Sequence, residues 1–168
     1  MTVDEFNALD RDAAIAWLRP CLDITRWCEE LADGRPYDFA DELVARARVA
    51  AEPFTVDEVD AALAHNPRIG ERAGGEGAVG PESAMSRAEQ AGVDPNDGAI
   101  AAALAEGNRV YEQRFGRVFL IRAAGRSAQE ILDVLTLRLG NTPAEEELVV
   151  AEQLREIAVL RLKGRLAT

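Results

Sequence analysis

Helix starts are written into this chain at four places, and they constrain its fold more than any other feature. Thr55 with Glu58 and Ser127 with Glu130 have capping-box spacing, in which a hydroxyl accepts from the amide three residues on and the carboxylate reaches back to the cap amide. Asp94-Pro95 and Thr142-Pro143 place a capping side chain ahead of a proline whose missing N–H costs nothing in a first helical turn. Behind these starts the apolar residues recur at helical spacing. Ile131, Leu132, Leu135 and Leu139 run to a stop at Gly140-Asn141, and Leu148, Val149, Leu154, Ile157 and Leu160 follow. The pattern predicts helices near 11–19, 22–33, 38–51, 55–65, 82–92, 95–114 and 127–140 and through the final segment, with a loop of about 15 residues after the fourth. Only 5% of residues are aromatic, and Ala, Leu, Glu and Arg dominate, as helices prefer. The expected fold is all-α, a single-domain irregular bundle of about eight helices in 168 residues.

One stretch resists that pattern. Val118-Phe119-Leu120-Ile121 has the composition of a strand, but no partner strand is legible, so a buried extended segment is expected. Its backbone N–H and C=O groups need partners, and a ligand is one candidate.

A formal net charge of -11 argues against nucleic acid, whose phosphates need a basic footprint. A small anion is still compatible, because salt screens distant charges beyond about 8 Å and a few local arginines can make a pocket positive. No apolar run reaches the roughly 20 residues of a membrane span, and MTVDEFNALDRD has no signal-peptide character, so a cytoplasmic protein is expected. Cys21 and Cys28 are seven residues apart, roughly 10 Å on one helix, and are read as reduced, partly buried thiols.

His65 is the only histidine, placed before Asn66-Pro67 and a Gly-rich run from Gly70 to Gly80 that cannot continue a helix. It is either a helix-end cap or a proton-transfer group. Ser86, Glu89 and Gln90 stand at i, i+3 and i+4 on one face of the helix expected near 82–92. That face is either solvated or turned towards His65, where a carboxylate would orient the imidazole and an amide and hydroxyl would hold polar substrate atoms. Trp27, Phe39, Phe54, Tyr111 and Phe115 are expected in the core, Arg35-Pro36 in a helix-to-helix turn, and Glu145 to Glu147 in the first turn of the last helix.

The single lysine, Lys163, leaves no P-loop and disfavours a Schiff base, and one His with two Cys disfavours a zinc cluster. No metal and no cofactor are expected. An enzyme built from these residues would work by proton transfer and electrostatics.

Taken in order, Asn7 in FNALD, Cys21 and Trp27, Arg35-Pro36-Tyr37, HNPRIG, SRAEQAG, NRVYEQRFGRVFLIRAAGRS and IAVLRLKGRL make a chain that resembles the 2-oxo-4-hydroxy-4-carboxy-5-ureidoimidazoline (OHCU) decarboxylases of urate breakdown over nearly its whole length. The resemblance implies an all-α homodimer that forms (S)-allantoin from a small anionic substrate. It implies a catalytic pair, His65 and Glu89, and substrate contacts from Ser86, Gln90, Arg161 and Pro67. Backbone groups of Phe119, Leu120 and Ile121 are implied to hold the ureido or ring amides. Asn66 is a departure, separating His65 from a proline that the family pattern has adjacent to it. Two other readings stand beside this one: a non-catalytic helical interaction module, and a decarboxylase of a related ureido or imidazoline acid.

Overall fold

The computed structural model describes residues 1–65 and 98–167. Among the described residues there are eight helices and no strand: α1 Val3–Ala8, α2 Arg11–Leu18, α3 Thr25–Asp33, α4 Ala40–Ala47, α5 Val56–Leu63, α6 Gly98–Phe115, α7 Ala128–Arg138 and α8 Pro143–Arg165. The fold is all-α, as expected. The helix expected near 82–92 and the Asp94-Pro95 start lie outside the described residues, while α1 is a helix the periodicity did not reveal. It begins at a capping box of its own: Glu5 N–H donates to Thr2 Oγ1 at 3.2 Å and Thr2 N–H to Glu5 Oε2 at 2.8 Å. Thr55 with Glu58 and Ser127 with Glu130 form the boxes read from the sequence. Thr142 closes a further one with Glu145.

The chain divides into two compact units, Met1–Ala62 with Leu154–Thr168, and Leu63–Gln153. In the first, the core gathers Phe6, Leu18, Ile24, Trp27, Leu31, Leu43 and Leu162, each fully buried. Side chains satisfy the carbonyls that helix ends leave without intrahelical partners. Trp27 Nε1–H donates to Ala47 C=O at 3.0 Å at the end of α4. Arg155 of α8 donates to Ala50 C=O at 2.8 Å, with its guanidinium 4.1 Å from the Phe54 ring centroid. Arg35 fixes its turn the same way, donating to Ala32 C=O at 2.7 Å and to Phe6 and Leu9 C=O at 3.1 and 2.5 Å. Asn7 and Tyr37 exchange two hydrogen bonds of 2.8 and 3.0 Å across the same turn. Cys21 and Cys28 form no disulfide and are more deeply buried than expected, and burial pushes the Cys28 thiol up to about 12. Phe39 departs from the expected core list. It occupies the N-cap position of α4, off the Leu43, Val44 and Ala47 stripe, and is 71% exposed.

The second unit packs Leu104 and Tyr111 of α6 and Ala128, Ile131 and Leu135 of α7 around Phe119, Ile121 and Ala123. Gly107 allows α6 to approach α7 closely, since a Cβ there would come within 2.5 Å of the Leu135 side chain. Gly116, at φ 69°, turns the chain out of α6 in the left-handed region that glycine enters without steric cost.

The buried stripes of α7 and α8 differ from the apolar sets read in the sequence. On α7 the stripe is Ala128, Ile131, Leu135 and Arg138. On α8 the buried residues include Glu146, Val150, Leu154, Ile157, Ala158, Arg161 and Leu162, while Leu148 is 75% and Leu160 38% exposed. Each stripe keeps its 3.6-residue period only when charged residues are admitted to it.

Candidate functional site

Of the residues expected to meet the substrate, Pro67, Ser86, Glu89 and Gln90 lie outside the described residues, and with them the pairing of the imidazole with a carboxylate. His65 sits two residues beyond the end of α5 and is exposed. The Thr55 box holds the start of that helix, and Glu58 within it also takes Arg26 at 2.8 Å, which holds the Glu58 carboxyl below its ordinary range. Arg161 is on α8, 5% exposed, with Nη1 donating to Cys21 C=O at 3.5 Å. A guanidinium is planar and carries five donors, the geometry that suits a carboxylate or ureido oxygen.

Phe119, Leu120 and Ile121 follow α6, buried and outside any helix. Phe119, Ile121 and Ala123 enter the core cluster while Leu120 and Arg122 do not, the two-residue alternation of an extended chain. Its backbone partners follow the same alternation. Leu120 C=O accepts from Arg138 Nη1 at 2.6 Å, and Arg122 N–H donates to Gln153 Oε1 at 2.9 Å. Side chains of α7 and α8 therefore replace the missing partner strand along one edge. Among the described residues the backbone of Phe119 and Ile121, on the opposite edge, makes no hydrogen bond. That edge offers alternating N–H and C=O groups, the complement of an amide or ureido group.

The anchor of the first edge is a buried polar cluster that the sequence reading missed. Arg138 and Glu146 are 5% and 1% exposed, and Arg138 Nε and Nη2 donate to Glu146 Oε1 at 2.8 and 2.5 Å. Tyr111 Oη donates to the same oxygen at 2.6 Å, and Asn141 Nδ2 to Glu146 Oε2 at 2.9 Å. Burial, with the hydrogen bond to Glu146, raises the Tyr111 phenol and keeps it a donor. The Arg138 guanidinium lies 4.6 Å from the Phe119 ring centroid and 5.9 Å from that of Tyr111. Glu146 is thus more than part of a favourable acidic first turn. The sequence signal was available in the spacing, since Arg138 and Glu146 each fall in phase with the buried positions of their helices.

Among the described residues no group of three or more His, Cys, Asp or Glu is placed to hold a metal ion. No helix among them is long and apolar enough to cross a membrane. Gly75, Gly77 and Gly80 have the GxGxxG spacing of a dinucleotide fingerprint, and that run lies outside the described residues. The spacing alone is a weak signal, because the fingerprint depends on a strand that feeds it and a helix that follows it.

The sequence model of the OHCU decarboxylase family matches residues 7–163. A 2-oxo-4-hydroxy-4-carboxy-5-ureidoimidazoline decarboxylase from Amia calva is 32% identical over 130 residues, which are 77% of this chain and 74% of that one. Among solved structures, an OHCU decarboxylase crystallised in the presence of (S)-allantoin superposes with a TM-score of 0.70 at 23% identity, covering 89% of this chain and 96% of that one. An (S)-allantoin synthase superposes with a TM-score of 0.72 at 17% identity, covering all of this chain and 54% of that one. At those identities the two structures establish the shared fold, while the family match takes in His65, the SRAEQAG segment, the Phe119–Ile121 edge and Arg161 together. The chain belongs to the OHCU decarboxylase family.

Proposed function

We propose that this protein removes CO₂ from OHCU without a cofactor and delivers (S)-allantoin, with His65 as its acid–base group. The observation that carries the reading is the family match across residues 7–163, which takes in every residue of the expected site. The family is one of carboxy-lyases, and the substrate class is a small anion bearing ureido and ring amides.

The substrate has hydroxyl and carboxylate on one ring carbon beside a C=N bond. When the bond to the carboxylate breaks, its electron pair forms a C=C bond and the C=N pair moves onto nitrogen, which takes up a proton, so the ring itself is the electron sink. His65 takes the hydroxyl proton or hydrogen-bonds that oxygen, and Glu89 orients the imidazole. Protonation of the enol on one carbon face, with loss of the hydroxyl proton, leaves the carbonyl and one stereocentre. Ser86 and Gln90 contact the substrate, Pro67 lines its site, and Arg161 meets its negative charge through a planar fork. The unpartnered edge of Phe119 and Ile121 receives the ureido or ring amides, with Leu120 the anchored residue between them. With this reading go a single domain, as the chain length suggests, a homodimer, as the family resemblance implies, and a cytoplasmic location, as the lack of signal-peptide character in the sequence suggests.

Saturable binding of (S)-allantoin, followed by calorimetry, tests the site. Arg161→Met or Gln90→Ala is expected to weaken it at least about tenfold, the loss of roughly one charge-assisted hydrogen bond at 1.4 kcal/mol per decade. Undiminished binding in both variants would favour the helical-module reading.

A further inference from the structure

We propose that Arg138 is a positioning residue, which sets the register of the substrate-binding edge through the carbonyl of Leu120. The inference rests on the reading that Phe119 and Ile121 meet the substrate. Arg138 is held on every side: Glu146 takes two of its donors, Leu120 C=O takes a third at 2.6 Å, and the Phe119 ring lies against its face. Tyr111 and Asn141 fix Glu146 in turn. Only the planar guanidinium reaches carboxylate and carbonyl at once; a lysine in its place could serve one of them. In an extended chain the groups of residue 120 and those of its neighbours 119 and 121 point to opposite sides. Pulling Leu120 C=O towards α7 therefore aims Phe119 and Ile121 the other way, without Arg138 touching the substrate.

The test uses two variants. Arg138→Lys keeps the buried charge beside Glu146, and Arg138→Met with Glu146→Gln removes both charges together, the exchange that folded proteins tolerate. Both are expected to unfold cooperatively, to raise KM for OHCU about tenfold, and to leave kcat within about threefold. In parallel, (S)-allantoin is expected to slow amide exchange at Ile121 in the wild-type protein and to do so less in the variants. A folded variant with wild-type KM and wild-type protection at Ile121 overturns the positioning role alone. If the unaltered protein shows neither decarboxylation nor ligand-dependent protection at Ile121, the functional reading fails and this inference with it.

Discussion

Replacing His65 with alanine is expected to lower turnover of OHCU at least about a hundredfold while the protein stays folded. A positioned acid–base group is typically worth 10²–10⁴-fold, or roughly 3–5 kcal/mol at 1.36 kcal/mol per decade. No second imidazole can take over, since the chain holds one. The ring lies on an exposed residue beyond the end of α5, so its removal opens no cavity in either core. Initial rates with OHCU generated in situ, set beside thermal unfolding of the same sample, separate a chemical loss from a structural one. Near-normal turnover in His65→Ala would remove the imidazole from the mechanism. Because Asn66 separates His65 from Pro67, Asn66 deletion is the natural companion variant.

The largest stability effect is expected at the other end of the second unit. Glu146→Gln leaves the Arg138 guanidinium buried without its counter-charge, and breaking a buried ion pair from one side costs about 3–5 kcal/mol. In a protein of this size that lowers Tm by roughly 6–20 °C at about 2–4 °C per kcal/mol. The comparison is Glu145→Gln, one residue earlier, which alters only an exposed capping box and should cost about 1 kcal/mol or less. Equal losses in the two variants would contradict the distinction drawn between them. The pair also explains why replacing both partners should be milder than replacing one, because the cost lies in the orphaned charge rather than in the missing bond.

Much of this architecture was legible because helix boundaries are local chemistry. Thr55, Ser127 and Thr142 sit next to the groups they cap, and their spacing alone identifies them. Thr2 with Glu5 carries the same signature but precedes only six helical residues, too few for an apolar period to draw attention to it. The face of α8 was misjudged for a different reason. Residue type alone points to Leu148 as core, whereas the buried position nearby belongs to Glu146. A carboxylate is affordable there only because Arg138, eight residues away and on another helix, neutralises it, and such a pairing is a tertiary fact that periodicity does not encode. Phe39 shows the converse, an aromatic ring left exposed because its backbone position is a cap. The strand-like run at 118–121 is extended, as its composition suggests, and among the described residues its partners on one side are protein side chains, Arg138 and Gln153. The proposed catalytic roles rest on the family resemblance and not on spacing. The i, i+3, i+4 spacing of Ser86, Glu89 and Gln90 would put them on one face of any helix, and only the run of ordered motifs attaches a role to that spacing.

Stereochemistry tests the central claim most directly. With OHCU produced in situ from urate, circular dichroism is expected to show faster formation of allantoin than in the protein-free reaction, with the (S) enantiomer in excess. Allantoin formed at the spontaneous rate, and racemic, in the presence of the folded protein would contradict it.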